Sequence, residues 1–488
     1  MTTTAASSPT TGEVISPRLR NLAIVVVLGA IMTVLDATIV NVAISSLGQE
    51  FKTSLSTIQW VVTGYTLALS MAIPLTGWSV QRFGAKTMWL VSLGLFISGS
   101  LLCGLAWSVP ALIAFRVLQG LGGGMLMPIG QTMLLRKAGP DRMGRVMSIV
   151  SVPAMLAPVL GPLLGGAIID HLSWRWMFYV NIPFCVFALL AAVRMLPRDT
   201  ERNTGARLDL LGILLLSPGL AALVYGLSEA GNGTTLTGVR FLGSTLCGAA
   251  LVAMFVVHAL RKGEGALIDV RRLSTRAFTS ATGGFFLYSA GVFGLMILIP
   301  LFARIVRGES ALDAGWLLAP MGLGAMATML VAGRLADKFG GRWIAATGLV
   351  VVLAGTLILT SLELSTGRAV LMTAMFVVGL GHGMIAPSLL AMSYQGLPSV
   401  AIPAATTGAN ILVRVGSSFG TAVSAVILQI AIRDKTSSSS STLDEVEAHS
   451  PPLLTSAFTE TFWWTTTILL AALIPVLLVP RKQRAIAS

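Results

Sequence analysis

Apolar runs of about 20 residues recur from one end of this chain to the other, and a helix needs that length to cross a bilayer. In hydrocarbon every backbone N–H and C=O must be satisfied within the chain. A polypeptide built of such runs therefore folds as a bundle of membrane-spanning helices. Fourteen runs stand out, at 21–46, 57–77, 88–107, 110–133, 146–169, 175–196, 208–228, 239–260, 277–303, 311–332, 343–362, 369–393, 405–432 and 459–479. Charge content agrees: 11% of the 488 residues are Asp, Glu, Lys or Arg, against roughly 25% in soluble domains. That is too little to coat two or three soluble domains, so the expected class is an all-α polytopic membrane protein.

The net charge of +13 raises nucleic acid as a partner. The basic residues sit in short loops between runs and form no single stripe, which argues against it and points to membrane topology instead. With a cytoplasmic N-terminus, 23 of the 33 Lys and Arg fall on that side and 8 on the other, while Arg116 and Arg414 lie inside runs. Both termini are therefore expected in the cytoplasm, as tails 1–20 and 480–488. Adding or dropping one helix would destroy the alternation. The longest external segment, 433–458, holds five serines (437–441) with Asp444, Glu445 and Glu447, and reads as a solvated loop. Cys103, Cys185 and Cys247 lie in apolar runs without CxxC spacing and read as small core hydrophobes. Met1–Thr11 lacks the basic start of a signal peptide. Asn232-Gly-Thr234 fits the glycosylation triplet, a weak signal by itself.

The chain also contains a repeat. Gly77-Trp-Ser-Val-Gln-Arg-Phe-Gly-Ala-Lys86 follows the second run, and Gly333-Arg-Leu-Ala-Asp-Lys-Phe-Gly-Gly-Arg342 follows the tenth in the same register. Gly120-Leu-Gly-Gly-Gly-Met125 with Pro128 likewise matches Gly379-Leu-Gly-His-Gly-Met384 with Pro387. Two landmarks at nearly one offset indicate a duplicated half. The register pairs helix 2 with 10 and helix 4 with 12, so two helices are inserted between six-helix halves. The expected units are an N-terminal half (21–196), an inserted pair (208–260) and a C-terminal half (277–479). Parallel repeats about an axis along the membrane normal are a transporter plan, with substrate bound near midplane.

Four motifs now make the chain resemble the major facilitator superfamily, in its fourteen-helix drug:proton antiporter branch. They are Leu35-Asp-Ala-Thr-Ile-Val-Asn-Val-Ala-Ile44 in the first helix, the turn Gly77–Lys86 after the second, with departures from the family pattern at Ser79 and Gln81, Arg116-Val-Leu-Gln-Gly120 in the fourth, and Gly161-Pro-Leu-Leu-Gly-Gly166 in the fifth. Ser45 stands where proline is usual. The run Trp174-Arg-Trp-Met-Phe-Tyr-Val-Asn-Ile-Pro183 is similar to the same branch. The resemblance covers nearly the whole chain. It implies a two-half bundle, outward transport, and residence in a bacterial inner or plasma membrane.

Asp36 is the only acid well inside an apolar run. An ionised carboxylate at bilayer depth costs a few kcal/mol, so taking up and losing a proton becomes feasible there. The alternative is a structural Asp hydrogen-bonded to a neighbouring helix. Arg116 is the counterpart cation, with Gln119 a turn below on the same face. The resemblance gives Arg116 a part in proton transfer, while the residues alone allow a packing anchor. Asn41, Trp60, Tyr65, Gln119, Met125, Phe286, Tyr288, His382, Asn410 and Arg414 are the candidates for an adaptable substrate pocket, each also readable as ordinary packing. Gly161, Pro162, Gly165 and Gly166 remove a helical hydrogen bond and let a neighbour approach, as a seal between halves would need. Gly77, Gln81, Arg82 and Gly84, with Gly333, Asp337, Lys338, Gly340 and Arg342, are expected to form two cytoplasmic latches. Gln81 stands where the resemblance expects aspartate, so the first latch should be weaker or depend on Arg82 alone.

There is no GxxxxGK[ST], HExxH or CxxC, and glycine runs lack a βαβ context. The chain is read as no enzyme, with no cofactor and no metal, driven by the proton gradient. Expected partners are a small-molecule substrate, protons and the lipid bilayer, with a monomer as the working unit. The expected function is proton-coupled export of amphipathic, cationic toxic compounds by alternating access. A dedicated exporter of an endogenous lipid, siderophore or self-made antibiotic is the alternative on the same fold. A non-transporting sensor or scaffold is more remote, because a scaffold need not carry intramembrane charge.

Overall fold

The protein is described by a computed structural model over residues 16–139, 142–197, 199, 203, 205–231, 238–436 and 451–480. Most of both tails, the external stretch 437–450 and Asn232-Gly-Thr234 lie outside these residues. Each of the fourteen apolar runs falls on a helix. We number them α1 (Pro17–Val42), α2 in two segments (Trp60–Ala72 and Leu75–Phe83), α3 (Ala85–Gly104), α4 (Val109–Ala138), α5 (Met143–His171), α6 (Asn181–Met195), α7 (Leu210–Gly231), α8 (Val239–Lys262), α9 (Arg276–Arg307), α10 (Ala319–Phe339), α11 (Gly341–Leu359), α12 (Arg368–Ser393), α13 (Ile402–Thr436) and α14 (Pro451–Ala471, prolonged by Leu473–Leu478).

Twelve described helices are long and apolar enough to cross a membrane, and the two segments of α2, bent by 55°, make a thirteenth span. The bend falls at Pro74, which has no N–H to continue the ladder. Helix α5, 29 residues long, occupies the place of the expected fifth span.

The duplication is visible in the backbone. Gly84 ends α2 at φ +94°, and its repeat partner Gly340 ends α10 at φ +92°. Only glycine adopts that region without penalty, so both halves turn on the same residue type at the same place. Gly120 of α4 lies so close to α2 that a Cβ there would sit 2.5 Å from the Tyr65 carbonyl oxygen. Its repeat partner Gly379 presses α12 onto the Met321 backbone of α10 in the same manner.

Within the first six helices, α4 packs on α2 and α3, while α1 packs on α4, α5 and α6. Within the last six, α12 packs on α10 and α11, and α9 on α13 and α14. Between the two groups α5 meets α10 and α12, and α13 meets α2 and α4. The pair α7–α8 stands outside both groups: α7 leans on α2 and α13, and α8 touches chiefly α7. Accordingly α8 leaves Leu242, Leu246, Met254 and Val257 exposed, as a lipid-facing helix would.

Candidate functional site

Asp36, in the last third of α1, is fully buried, as are Arg116 and Gln119 of α4 and Asn181 at the start of α6. A bare carboxylate at this depth would be costly, and the surroundings supply three donors. Arg116 Nη1 lies 2.5 Å from Asp36 Oδ2. Gln119 Nε2 donates to Oδ1 at 2.9 Å, and Asn181 Nδ2 donates to the same oxygen at 2.8 Å. Helix spacing explains the first two donors: Arg116 and Gln119 are three residues apart on one face of α4. They also bind each other, Arg116 Nη1 to Gln119 Oε1 at 2.8 Å.

Arg116 is held from a third helix as well. Its Nε donates to the Val61 carbonyl at 3.2 Å, and its guanidinium lies 4.0 Å over the Tyr65 ring, both on α2. The Tyr65 hydroxyl donates back to the Thr33 carbonyl of α1 at 3.2 Å. Asn181 in turn reaches Ser100 of α3 at 3.1 Å, and Ser100 donates to the Phe178 carbonyl at 2.8 Å. Five helices of the first half thus converge on one ion pair. Asn181 is the member that sequence reasoning passed over. It lay inside a quoted run, and the signal was available, because an amide within an apolar helix must find a partner.

The remaining pocket candidates fall into separate contacts. Tyr288 of α9 and His382 of α12 share a hydrogen bond in the second half, with ring centroids 5.6 Å apart. Asn410 of α13 donates to Gln131 Oε1 of α4 at 2.7 Å, and Thr132 and Thr406 join the same two helices at 2.8 Å. Arg414, one turn along α13 from Asn410, comes within electrostatic reach of Tyr65. Its Nε is buried and has no hydrogen-bond partner among the described residues. Phe286 packs on Phe419 with centroids 5.8 Å apart. Trp60 stacks on Tyr225 of α7 at 5.7 Å, tying the inserted pair to α2. Met125 is buried, and Asn41 is exposed at the end of α1.

Gly161 does permit a close approach: a Cβ there would fall 2.5 Å from Thr38 Cβ on α1. Gly165 is buried, Gly166 faces open space within 4 Å, and the side chain of Pro162 lies outside the described residues.

The two glycine-bounded turns are held in different ways. Asp337 of α10 crosses to α5 and accepts from the N–H groups of Gly144 at 2.8 Å and Arg145 at 3.1 Å. A carboxylate at a helix N-terminus meets unpaired donors and the positive end of the dipole. Gly333 lies where its Cβ would come 2.8 Å from the Gly144 carbonyl, so α10 and α5 touch backbone to backbone. Lys338 and Arg342, however, stay within their own half. Lys338 lies over the Phe339 ring, and Arg342 donates to the Val479 carbonyl at 3.4 Å. Around the first turn the contacts of Gln81 and Lys86 stay within residues 81–203. Asp199, beyond α6, accepts from Lys86 N at 2.9 Å and Thr87 N at 3.0 Å and so caps α3. The Gln81 carbonyl accepts from Asn203 N at 2.9 Å, and Lys86 Nζ donates to the Val193 and Leu196 carbonyls at 2.9 Å. Gly77 makes only ordinary contact with Thr407, at 3.5 Å from where its Cβ would be.

Known proteins share this architecture. The chain is 37% identical over 409 residues to a multidrug resistance protein B homolog of Mycobacterium tuberculosis, covering 83% of this chain and 75% of that one. It is 28% identical over 408 residues to the putative multidrug resistance protein MdtD of Escherichia coli, covering 83% and 85%. A crystal structure of XylE carrying two introduced tryptophans superposes with a TM-score of 0.64 at 16% identity, over 95% of this chain and 96% of that one, a likeness of fold alone. The Major Facilitator Superfamily model matches residues 26–421. This multi-pass membrane chain belongs to the major facilitator superfamily.

Proposed function

We propose that the protein is a proton-driven exporter of amphipathic compounds, with fourteen spans, cytoplasmic termini and alternating access between its halves. The observation that carries this reading is the Asp36–Arg116 pair, fully buried at bilayer depth and held by three donors on Asp36. The two relatives named for multidrug resistance support the drug-efflux part. Protonation of Asp36 removes half of a buried ion pair and leaves Arg116 uncompensated, a state typically several kcal/mol worse. The protonated half therefore relaxes by rearranging, which is what a coupled transporter requires. A cationic amphiphile competes with the proton for the same carboxylate, so one site exchanges the two.

In this topology the contacts of Asp337, Thr132 and Gln131 across the seam lie at the cytoplasmic end, so the conformation corresponds to one closed toward the cytoplasm. The energetics suffice. One proton entering down ~100 mV supplies about 2.3 kcal/mol, and one pH unit adds roughly 1.4 kcal/mol. Together these sustain a gradient of several hundredfold for a neutral compound. The direct test is proton release from detergent-solubilised protein on adding a lipophilic cation such as rhodamine 6G in weak buffer. Wild type should acidify the medium, and Asp36→Asn should not. Equal acidification by both would remove Asp36 from the account.

A further inference from the structure

Taking up a proton sets Asp36 a geometric problem. Its Oδ2 faces Arg116, and its Oδ1 faces two amide N–H groups, from Gln119 and Asn181. A carboxylic O–H on either oxygen would point at a donor, and a buried hydroxyl without an acceptor is costly. Protonation at Oδ1 leaves Oδ2 able to accept from Arg116, but one of the two amides must then turn its oxygen toward Asp36. Gln119 is pinned, because its Oε1 already accepts from Arg116 at 2.8 Å and from the Cys103 thiol at 3.8 Å. Asn181 is not. Its Oδ1 is buried with no hydrogen-bond partner among the described residues, an acceptor in reserve beside the carboxylate.

We propose that Asn181 turns its amide over when Asp36 is protonated, donating Nδ2 to the carboxylate and presenting Oδ1 to the acid. The inference rests on the proton-coupling reading of Asp36 and adds a positioning residue to it. The turn also has an outlet, because it withdraws Nδ2 from Ser100, whose hydroxyl holds the Phe178 carbonyl just ahead of α6. The proton state of α1 is thereby felt on α3 and at the start of α6. The other titratable or charged groups around Asp36 are Arg116 on α4, Tyr65 on α2, Cys103 on α3 and Cys185 on α6. Helix α5 supplies none between Arg145 and Asp170. None of these offers Asp36 an acceptor in the present arrangement.

Infrared difference spectra of the purified protein between high and low pH test the idea, with asparagine side chains labelled with carbon-13. Wild type should give an Asp36 acid band in the hydrogen-bonded position together with a label-sensitive amide band. Asn181→Leu should move the acid band to the free position and lose the amide band, and coupled dye transport should fall about tenfold. Asn181→Ser, whose hydroxyl both donates and accepts, should restore the bonded acid band and most of the transport, which separates this role from a purely structural one. An acid band unmoved by Asn181→Leu, or no amide change on protonation in wild type, makes Asn181 a fixed donor and overturns the proposal alone. Absence of any acid band that Asp36→Asn removes would overturn the proton-coupling reading as well.

Discussion

Removing one partner of a buried ion pair costs more than removing both, because the survivor is left charged and dry. Arg116→Met should therefore lower stability in detergent by about 3 kcal/mol, and combining it with Asp36→Asn should recover much of the loss, as read by thermal unfolding. Arg414 supplies a second prediction. Among the described residues no carboxylate pairs with Arg414, and its buried Nε has no hydrogen-bond partner. Arg414→Gln should raise the affinity for lipophilic cations by about tenfold, since one like charge is removed from the poorly solvated contact between α13 and α2; unchanged binding would place the cargo away from α13. Charges at bilayer depth are conspicuous in a sequence, which is why Asp36, Arg116 and Arg414 were legible. Asn181 carries no charge and sits beside Pro183 at a helix start, where polar residues are common, so its contact with Asp36 emerged only from the packing of α6 on α1.

The joint between α5 and α10 and the root of the inserted pair carry the element-scale predictions. Asp337→Asn keeps the shape of the α5 cap but removes its charge, worth about 1 kcal/mol at a helix N-terminus. It should loosen the seam, so that a cysteine at Ser148 in a cysteine-free background reacts faster with a thiol reagent added from the cytoplasmic side. At the root of α7, Asp209 is nearly fully buried and accepts from Lys262 at 2.7 Å, His258 at 3.0 Å and the N–H of Leu267 at 2.9 Å. Burial alone would raise its carboxyl, but the bonds from Lys262, His258, Leu267 and Gly212 prevail and hold it down at about 2. A carboxyl lowered by folding stabilises above its unfolded value and loses that contribution as pH falls through the folded one. Docking of α8 should thus be fully supported above pH about 4 and weaken toward pH 2, with hydrogen exchange along α8 as the readout. Asp209→Asn should loosen α8 already at neutral pH. The sequence marked the turns at Gly84 and Gly340 correctly because glycine is visible, but the carboxylate that caps α3 after the first turn comes from Asp199, 113 residues after Lys86. No local pattern announces such a partner.

At the scale of the whole molecule, hydropathy and charge determine most of what is seen. The fourteen apolar runs became helices because the bilayer leaves the backbone no other choice, and the repeat showed which helices correspond. Less legible was how the halves meet. That depends on contacts such as Thr132 with Thr406 and Asn410 with Gln131, which involve common polar residues with no spacing rule between them. The central claim is that Asp36 exchanges a proton for cargo, and reconstituted vesicles with an imposed pH gradient test it most directly, following a lipophilic cationic dye for wild type and Asp36→Asn. The account predicts that wild type drives the dye against its gradient while the folded variant does not accumulate it. Equal uphill transport by both would contradict it and move the proton site elsewhere.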